Sequence, residues 1–537
     1  MVRKLLFGIG LACIPALTVI GQGNDPALEA YEASLKFPEL SKRALAMNDF
    51  ASSRDVRVIE KFRARYEKPE SGQHAHPDEV RHLLAGALSL SRGADGFEGP
   101  SAAWLGALKP GADTWLKFQL MCNMTSTEAC TGFLASLDAP KANVLDQAVA
   151  IEALGNAGDA RLLSWIEKKF ISPALDKEYE STILINACAS ALMRCRSLVK
   201  DPLYVKAAYV MIDLFALPKV SNTSKLVLAR CLARALNTEN WGADISQWRK
   251  ALGEASGEKV DGGGGRTSSR RKPEFFGVVA HGDRICYVLD VSASMQALVS
   301  ASEREQLEQE AKERDGPVTG GDKGDPDKKK EEKKEEGLPW DKIKNRFDLA
   351  VESLKLSIKG LEEHMKFAVV LFANKVETLN STRQLIDASP ANVTKVLKEI
   401  DQRMKLFMLD RGETEIHTGM RLAFRMHEKG QSKEHTQDTD VQAVLGGANA
   451  FYLLSDGAPT NDAFSHPAED NANSGKQRGG PYKELEHFRR DLERLCFFRK
   501  PEIHCIGIAT DTVEWLNMFA DVGMGKVKLI GTATGAK

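Results

Sequence analysis

Four short runs constrain the fold of this chain more than any other feature. They are "ICYVLD" ending at Asp290, "KFAVVLFANKVE" from Lys366, "AFYLLSD" ending at Asp456, and "EIHCIGIA" from Glu502. Each is apolar at nearly every position rather than at alternate ones. A strand buried on one face shows period two, whereas a strand covered on both faces reads as a continuous apolar run. Between these runs the apolar residues recur at helical spacing. A helix from about Asp341 carries Ile343, Phe347, Ala350, Val351, Leu354, Ile358 and Leu361 on one face. "ANVTKVLKEIDQRM", "EIHTGMRLAFRMHEK", "KELEHFRRDLERLCFF" and "EWLNMFADVG" read as further helices. Strands alternating with amphipathic helices predict an α/β domain with a doubly wound, mostly parallel sheet. Ligands of such sheets sit beyond the carboxyl ends of the strands.

Two of the runs end in a carboxylate at that place. Asp290 is followed by Ser292 and Ser294, so alternation brings one carboxylate and two hydroxyls to one side of a tight loop. Asp456 directly follows the run Leu453, Leu454, Ser455. Thr414, in "RGETEIHTGM", lies on a loop just before a helix. Asp290, Ser292, Ser294, Thr414 and Asp456 are all hard oxygen donors, two charged and three neutral. A hard cation such as Mg2+, or Mn2+ or Ca2+ in its place, takes about six oxygens. Five donors leave room for an outside ligand.

"YVLDVSASM", "GET" and "LLSDGAPT" together resemble the metal-ion-dependent adhesion site of von Willebrand factor type A domains, in the family's order of strands and helices over residues 274–537. The resemblance implies a Rossmann-like fold. It also implies that Ser292, Ser294 and Thr414 touch the metal, that Asp290 and Asp456 act mostly through water, and that an acidic side chain of a protein partner completes the shell. Glu413 and Glu415 flank the threonine where many members carry Gly and Asn, which adds negative charge beside the site.

Residues 22–252 follow another grammar. "ANVLDQAVAIEALGNAGDARLLSWIEKKF" places Val144, Ala148, Ile151 and Leu154 on one face; Gly155 and Gly158 break the helix, Asp159 caps the next, and Leu162, Leu163 and Ile166 resume the stripe. "STILINACASALMRCRSL" and "SKLVLARCLARALN" repeat the theme, and "WGADISQWRKAL" reads as a closing helix capped at Asp244 or Ser246. This region resembles HEAT-type helical repeats, best in "AIEALGNAGDARLL". Such pairs bury their stripes only by stacking, which creates an extended surface for a partner or a stalk. Residues 253–273, rich in Gly, Ser and Arg, read as a flexible linker. The chain of 537 residues is thus expected to be multidomain, all-α and then α/β.

The first 21 residues have the layout of a secretory signal peptide: Arg3 and Lys4, then apolar Leu5 to Ile20, then Gly21 and Gly23. An uncleaved anchor or a lipid on Cys13 are the alternatives, and membrane association is expected through these alone. The expected location is periplasmic, cell-envelope or extracellular. Beyond Cys13, eight cysteines remain. Cys122 and Cys130 form the first disulfide to test, whereas Cys286 and Cys505 sit in apolar runs that suit buried thiols.

Net charge is −1, which gives no reason to expect nucleic-acid binding. Residues 297–340 form a charged insertion read as disordered, apart from a helix across Ser302 to Arg314. A second polar rim loop, "NDAFSHPAEDNANSGKQRGGPY", follows Asp456, and His281, His417 and His466 are placed near the same rim. No nucleophile elbow and no phosphate-cradling loop occurs. The expectation is a non-enzymatic, exported interaction protein. A magnesium-dependent hydrolase using Asp290 and Asp456, and an envelope spacer with a vestigial metal site, are the alternatives.

Overall fold

The computed structural model describes residues 25–71, 75–257, 273–314, 337–407, 412–433, 439–465, 479–510 and 512–531. The N-terminal segment with Cys13, most of the expected linker, part of the charged insertion and His466 lie outside the described residues.

The described residues between 25 and 257 form thirteen α-helices, from α1 (Pro26–Ser34) to α13 (Ile245–Ser256). The later ones stack in two rows. One row runs through α6 (Thr114–Cys122), α8 (Val144–Ala157), α10 (Glu178–Arg194) and α12 (Asn222–Leu236). The other runs through α9 (Arg161–Phe170), α11 (Pro202–Asp213) and α13. Asp244 caps α13 as the sequence indicates, whereas α9 starts from Ala160 without a side-chain cap and Asp159 turns the chain one residue ahead of it. Asp159 accepts from Arg161 N at 2.9 Å and Asp244 from Gln247 N at 3.1 Å. Gly155 does not break α8, which ends instead at the left-handed Gly158, φ 68°. A Cβ on Gly155 would lie 2.7 Å from Ala191 Cβ of α10, so its role is close helix packing. Cys122 and Cys130 are not joined; all eight described cysteines are buried thiols.

The second half is α/β. A short hairpin, β1 (Glu274–Phe275) and β2 (Val278–Val279), precedes β3 (Arg284–Asp290). The sheet order is β11-β10-β9-β3-β4-β5, with β4 (Lys366–Phe372), β5 (Val376–Thr378), β9 (Ala450–Ser455), β10 (Glu502–Ile508) and β11 (Val527–Ile530). The five strands from β11 to β4 are parallel neighbours. The sheet is nevertheless mixed, because β5 and β6 (Ile386–Asp387) pair antiparallel with β4. "KFAVVLFANKVE" is therefore two strands: the polar step at Asn374 and Lys375 folds it back, with Ala373 N donating to Lys375 O at 3.0 Å. A further hairpin joins β7 (Met426–His427) to β8 (Gly430–Gln431).

Alternation assigns the two faces of the sheet. Ile285, Tyr287 and Leu289 pack under α15 (Arg346–Lys359) and α16 (Pro390–Phe407). Cys286 and Val288 belong to the opposite core, covered by α17 (Ile416–Arg425), α19 (Leu485–Cys496) and α20 (Val513–Val522). That second core does not stop at the α/β half. It continues through Phe497 and Phe498 into the helical half, where Trp115 and Phe118 meet the Phe497 ring at 5.6 and 4.9 Å between centroids.

The two halves are also bonded together. From the helical half, Glu79 on α4 (Pro77–Ala87), Glu152 on α8, Asn186 on α10 and Arg230 on α12 reach Arg421, Lys500, the Phe498 carbonyl and the Lys500 carbonyl. The row of helices from α4 to α12 is thus covered by the chain's own α/β half.

In the charged insertion, α14 (Ala301–Arg314) forms where the sequence places a helix and docks on the sheet edge. Gln306 donates to Leu529 O at 3.0 Å and accepts from Gly531 N at 3.0 Å. Leu307 is buried beneath it.

Candidate functional site

The chain crosses from β3 outward to β4 on one side and later to β9 on the other. Reversal of strand order leaves a crevice at the carboxyl ends of β3 and β9. Asp290 closes β3, and Asp456 follows the last residue of β9. Parallel pairing sets Leu289 beside Leu454, so the two carboxylates emerge as neighbours.

The loop after β3 then folds onto itself. Ser292 N donates to Asp290 Oδ1 at 2.8 Å, turning the chain back at once. The Ser292 and Ser294 hydroxyls lie 2.9 Å apart, and Ser294 Oγ donates to Asp456 Oδ1 at 2.7 Å. Four of the five residues singled out from the sequence thus form one hydrogen-bonded chain across two strands. Asp290, Ser292 and Asp456 are buried and Ser294 is exposed, so the cluster opens to solvent at its serine end.

Thr414 is held at the same end of the sheet, but through its backbone. Its N–H donates to Thr460 Oγ1 at 2.9 Å, and its carbonyl accepts from Thr460 N at 3.2 Å. Glu415 N donates to Ala373 O at 2.9 Å, just past the end of β4. Among the described residues no hydrogen bond joins the Thr414 hydroxyl to the other four. Glu413 and Glu415 are bridged by the Asn461 amide, at 2.8 and 3.4 Å.

Two participants escaped the sequence reading. Ser455 donates to Asp290 Oδ2 at 2.7 Å and so fixes the buried carboxylate from its second side. Its only sequence signal is its place immediately before Asp456. Arg346, the first residue of α15, brings Nη1 to 3.4 Å from Asp456 Oδ2 and Nε to 3.5 Å from Glu303 of α14. Nothing local in the sequence marks Arg346.

The electrostatics favour a cation. Burial, and then the charge of Asp456, push the Asp290 carboxyl up to about 7, and the hydrogen bonds from Ser292 and Ser455 only partly offset this. Two adjacent carboxylates of which one is fully buried are stabilised by a positive ion between them. The donors are oxygen throughout, which suits Mg2+ and leaves out zinc-type nitrogen and sulfur ligation. Among the described residues no group of three or more His, Cys, Asp or Glu side chains is placed to hold a metal. Any ion here would rest on the hydroxyls as well as the acids.

The histidines are placed differently from expectation. His281 lies at the opposite end of the sheet, where its N–H donates to Glu502 at 2.9 Å. His417 is buried in α17, stacked on Tyr482 with ring centroids 3.7 Å apart and bonded to Asp491 at 2.8 Å. Neither faces the crevice chemistry, because His281 precedes β3 at its amino end and His417 is engaged under the rim.

No family model matches the chain, and no curated protein matches it. No described helix is long and apolar enough to cross a membrane.

Proposed function

We propose that the α/β half is a von Willebrand factor type A-like domain that binds a protein or peptide ligand through a divalent cation, and that the helical half is a HEAT-like scaffold holding it. Mg2+ (or Mn2+ or Ca2+) would be held by Ser292 and Ser294, by Thr414, and by Asp290 and Asp456 acting directly or through water. The cation would supply an electrophilic position that accepts a carboxylate from the partner. The chain's own residues do the rest. Ser455 and the Ser292 amide orient Asp290, and Arg346 holds Asp456. One observation carries this reading: four of the five oxygen donors converge from two adjacent strand ends at the point where strand order reverses.

The basic and apolar N-terminal segment, 1–21, supports export to the periplasm, envelope or outside of the cell. The covered row of α4 to α12 supports a scaffold role for the helices more than a second large binding face.

The test is calorimetric titration of the full chain with MgCl2, paired with affinity capture from the native envelope with and without EDTA. The expected outcome is saturable Mg2+ uptake and EDTA-sensitive capture, both lost in Asp290→Ala while circular dichroism is unchanged. Absence of Mg2+, Mn2+ and Ca2+ uptake at millimolar concentration overturns the reading. EDTA-sensitive turnover of a phosphoester or peptide would replace it with the hydrolase alternative, and capture indifferent to Asp290→Ala would leave only a spacer.

A further inference from the structure

Away from the strand-end crevice, a cavity of about 170 Å3 lies between the helical half and the α/β half. A single water needs roughly 10–15 Å3 of such space, so the cavity has room for on the order of ten waters or a compact organic molecule. Its walls are aromatic and aliphatic: Trp115 from α6 on one side, and Phe424, Phe497 and Val444 on the other.

The charge in these walls is unevenly compensated. Arg421 is matched by Glu79 and Asp491, and Arg494 by Asp491. The two acids of the lining are engaged: Asp113 accepts from the Tyr66 hydroxyl at 2.5 Å, and Asp440 accepts from the Gln442 and Ala443 amides. Arg499 is different. It is 5% exposed, lies over the Phe424 ring, and makes one hydrogen bond, from Nη2 to the Phe424 carbonyl at 2.7 Å. Its Nε and Nη1 have no hydrogen-bond partner among the described residues. A buried guanidinium without a bonded anion is costly, and proteins pair such groups. Burial also pulls Arg499 down to about 10, and the nearby charge of Asp440, which is not bonded to it, offsets only part of this. Lys433, exposed, stands at the edge of the same cavity.

We propose that this cavity binds a small ligand carrying an oxyanion on an aromatic or compact apolar body, with the anion meeting Arg499 and Lys433 and the body lying against Trp115, Phe424 and Phe497. The unpaired nitrogens of Arg499 are shut off from solvent, so the anion reaches them by turning the guanidinium away from the Phe424 carbonyl. Carboxylate and phosphate share this chemistry. Because the walls come from both halves, the bound ligand also bridges them.

The test uses the full chain and three probes of similar body: benzoate, phenyl phosphate and neutral benzyl alcohol. Binding is read by calorimetry and by tryptophan fluorescence, with Trp115→Phe identifying the reporting residue. Saturable binding of benzoate, phenyl phosphate or both, and none of benzyl alcohol, is expected; which anion binds tells a carboxylate ligand from a phosphate one. Arg499→Leu should weaken the anion by about tenfold or more, the usual worth of a hydrogen bond to a charged group. Lys433→Glu, a surface change that leaves the core alone, should weaken it by about threefold or more and decides the matter should Arg499→Leu fail to fold. Lack of saturable anion binding, equal binding of benzyl alcohol, or anion binding indifferent to the substitutions overturns the proposal.

Discussion

Single residues set the geometry of both the strand-end site and the helix stack. Ser455 is placed to hold one oxygen of Asp290 while the Ser292 amide holds the other. Ser455→Ala removes that bond and frees a buried carboxylate. The expected outcome is Mg2+ affinity lower by about tenfold to a hundredfold, as is usual for residues that support a metal ligand, with unchanged circular dichroism. An unaltered titration would remove Ser455 from the site. At Gly155 the consequence is mechanical. Gly155→Ala drives a methyl against Ala191, and overpacking of this kind costs about 1–3 kcal/mol, measurable as a lower urea midpoint with unchanged slope. Much at this scale was legible. Asp290, Ser292, Ser294 and Asp456 are near one another in sequence or sit at the ends of apolar runs, so strand grammar alone brings them together. Thr414 was legible in position but not in side-chain contact, which depends on how its loop pairs with the loop of Thr460 after β9. Arg346 was not legible, because its role arises from where α15 begins in space.

Among the elements, α17 joins the strand-end site to the boundary between the halves. Its N-terminus continues directly from Thr414, and its body carries His417 and Arg421 into a buried cluster with Glu79, Tyr482 and Asp491. Burial opposes ionisation of Asp491, but Arg421 and Arg494 outweigh it and hold that carboxyl well below the usual range. Arg421→Met takes the buried guanidinium from Glu79 and leaves Asp491 to Arg494 and His417. Breaking a buried pair from one side costs about 3–5 kcal/mol, so a large drop in thermal midpoint is expected by calorimetry. Acid should act at the same boundary. Burial, helped by Arg421, lowers His417 to about 4, and burial, helped by Arg490, lowers His487 to about 4; His82 is lowered by burial and Arg494. In the unfolded chain these rings take up protons near pH 6.5. The unfolded state therefore binds more protons between those values, and the stability they contribute is complete above about pH 6.5 and lost as pH falls toward 4. A decline of about 1.4 kcal/mol per pH unit for each of His417 and His487 is expected in urea titrations across that window. None of this cluster could be read from the sequence, since Glu79 and Arg421 lie 342 positions apart and neither sits in a motif.

At the scale of the whole molecule, a linker-like composition after α13 suggests two tethered bodies, yet one apolar core crosses between them. Composition reports how the connecting chain behaves, not whether the surfaces it joins are complementary. Those surfaces are built from stripes that each look like ordinary helix cores, so their mutual fit leaves no separate trace. A shared core predicts one cooperative unfolding transition for the full chain in scanning calorimetry, and two well-separated transitions would contradict it. The parallel strands themselves, by contrast, were legible because each is apolar on both faces. The clamp of Gln306 on the last strand carries a consequence for assembly. That border of the sheet is plugged by an amide that satisfies an unpaired main-chain donor and acceptor, while the opposite border ends in the three-residue β5. Edge addition of an extended chain therefore finds the main-chain groups at Leu529 and Gly531 already taken, so strand-on-strand growth is blocked at that end of the sheet.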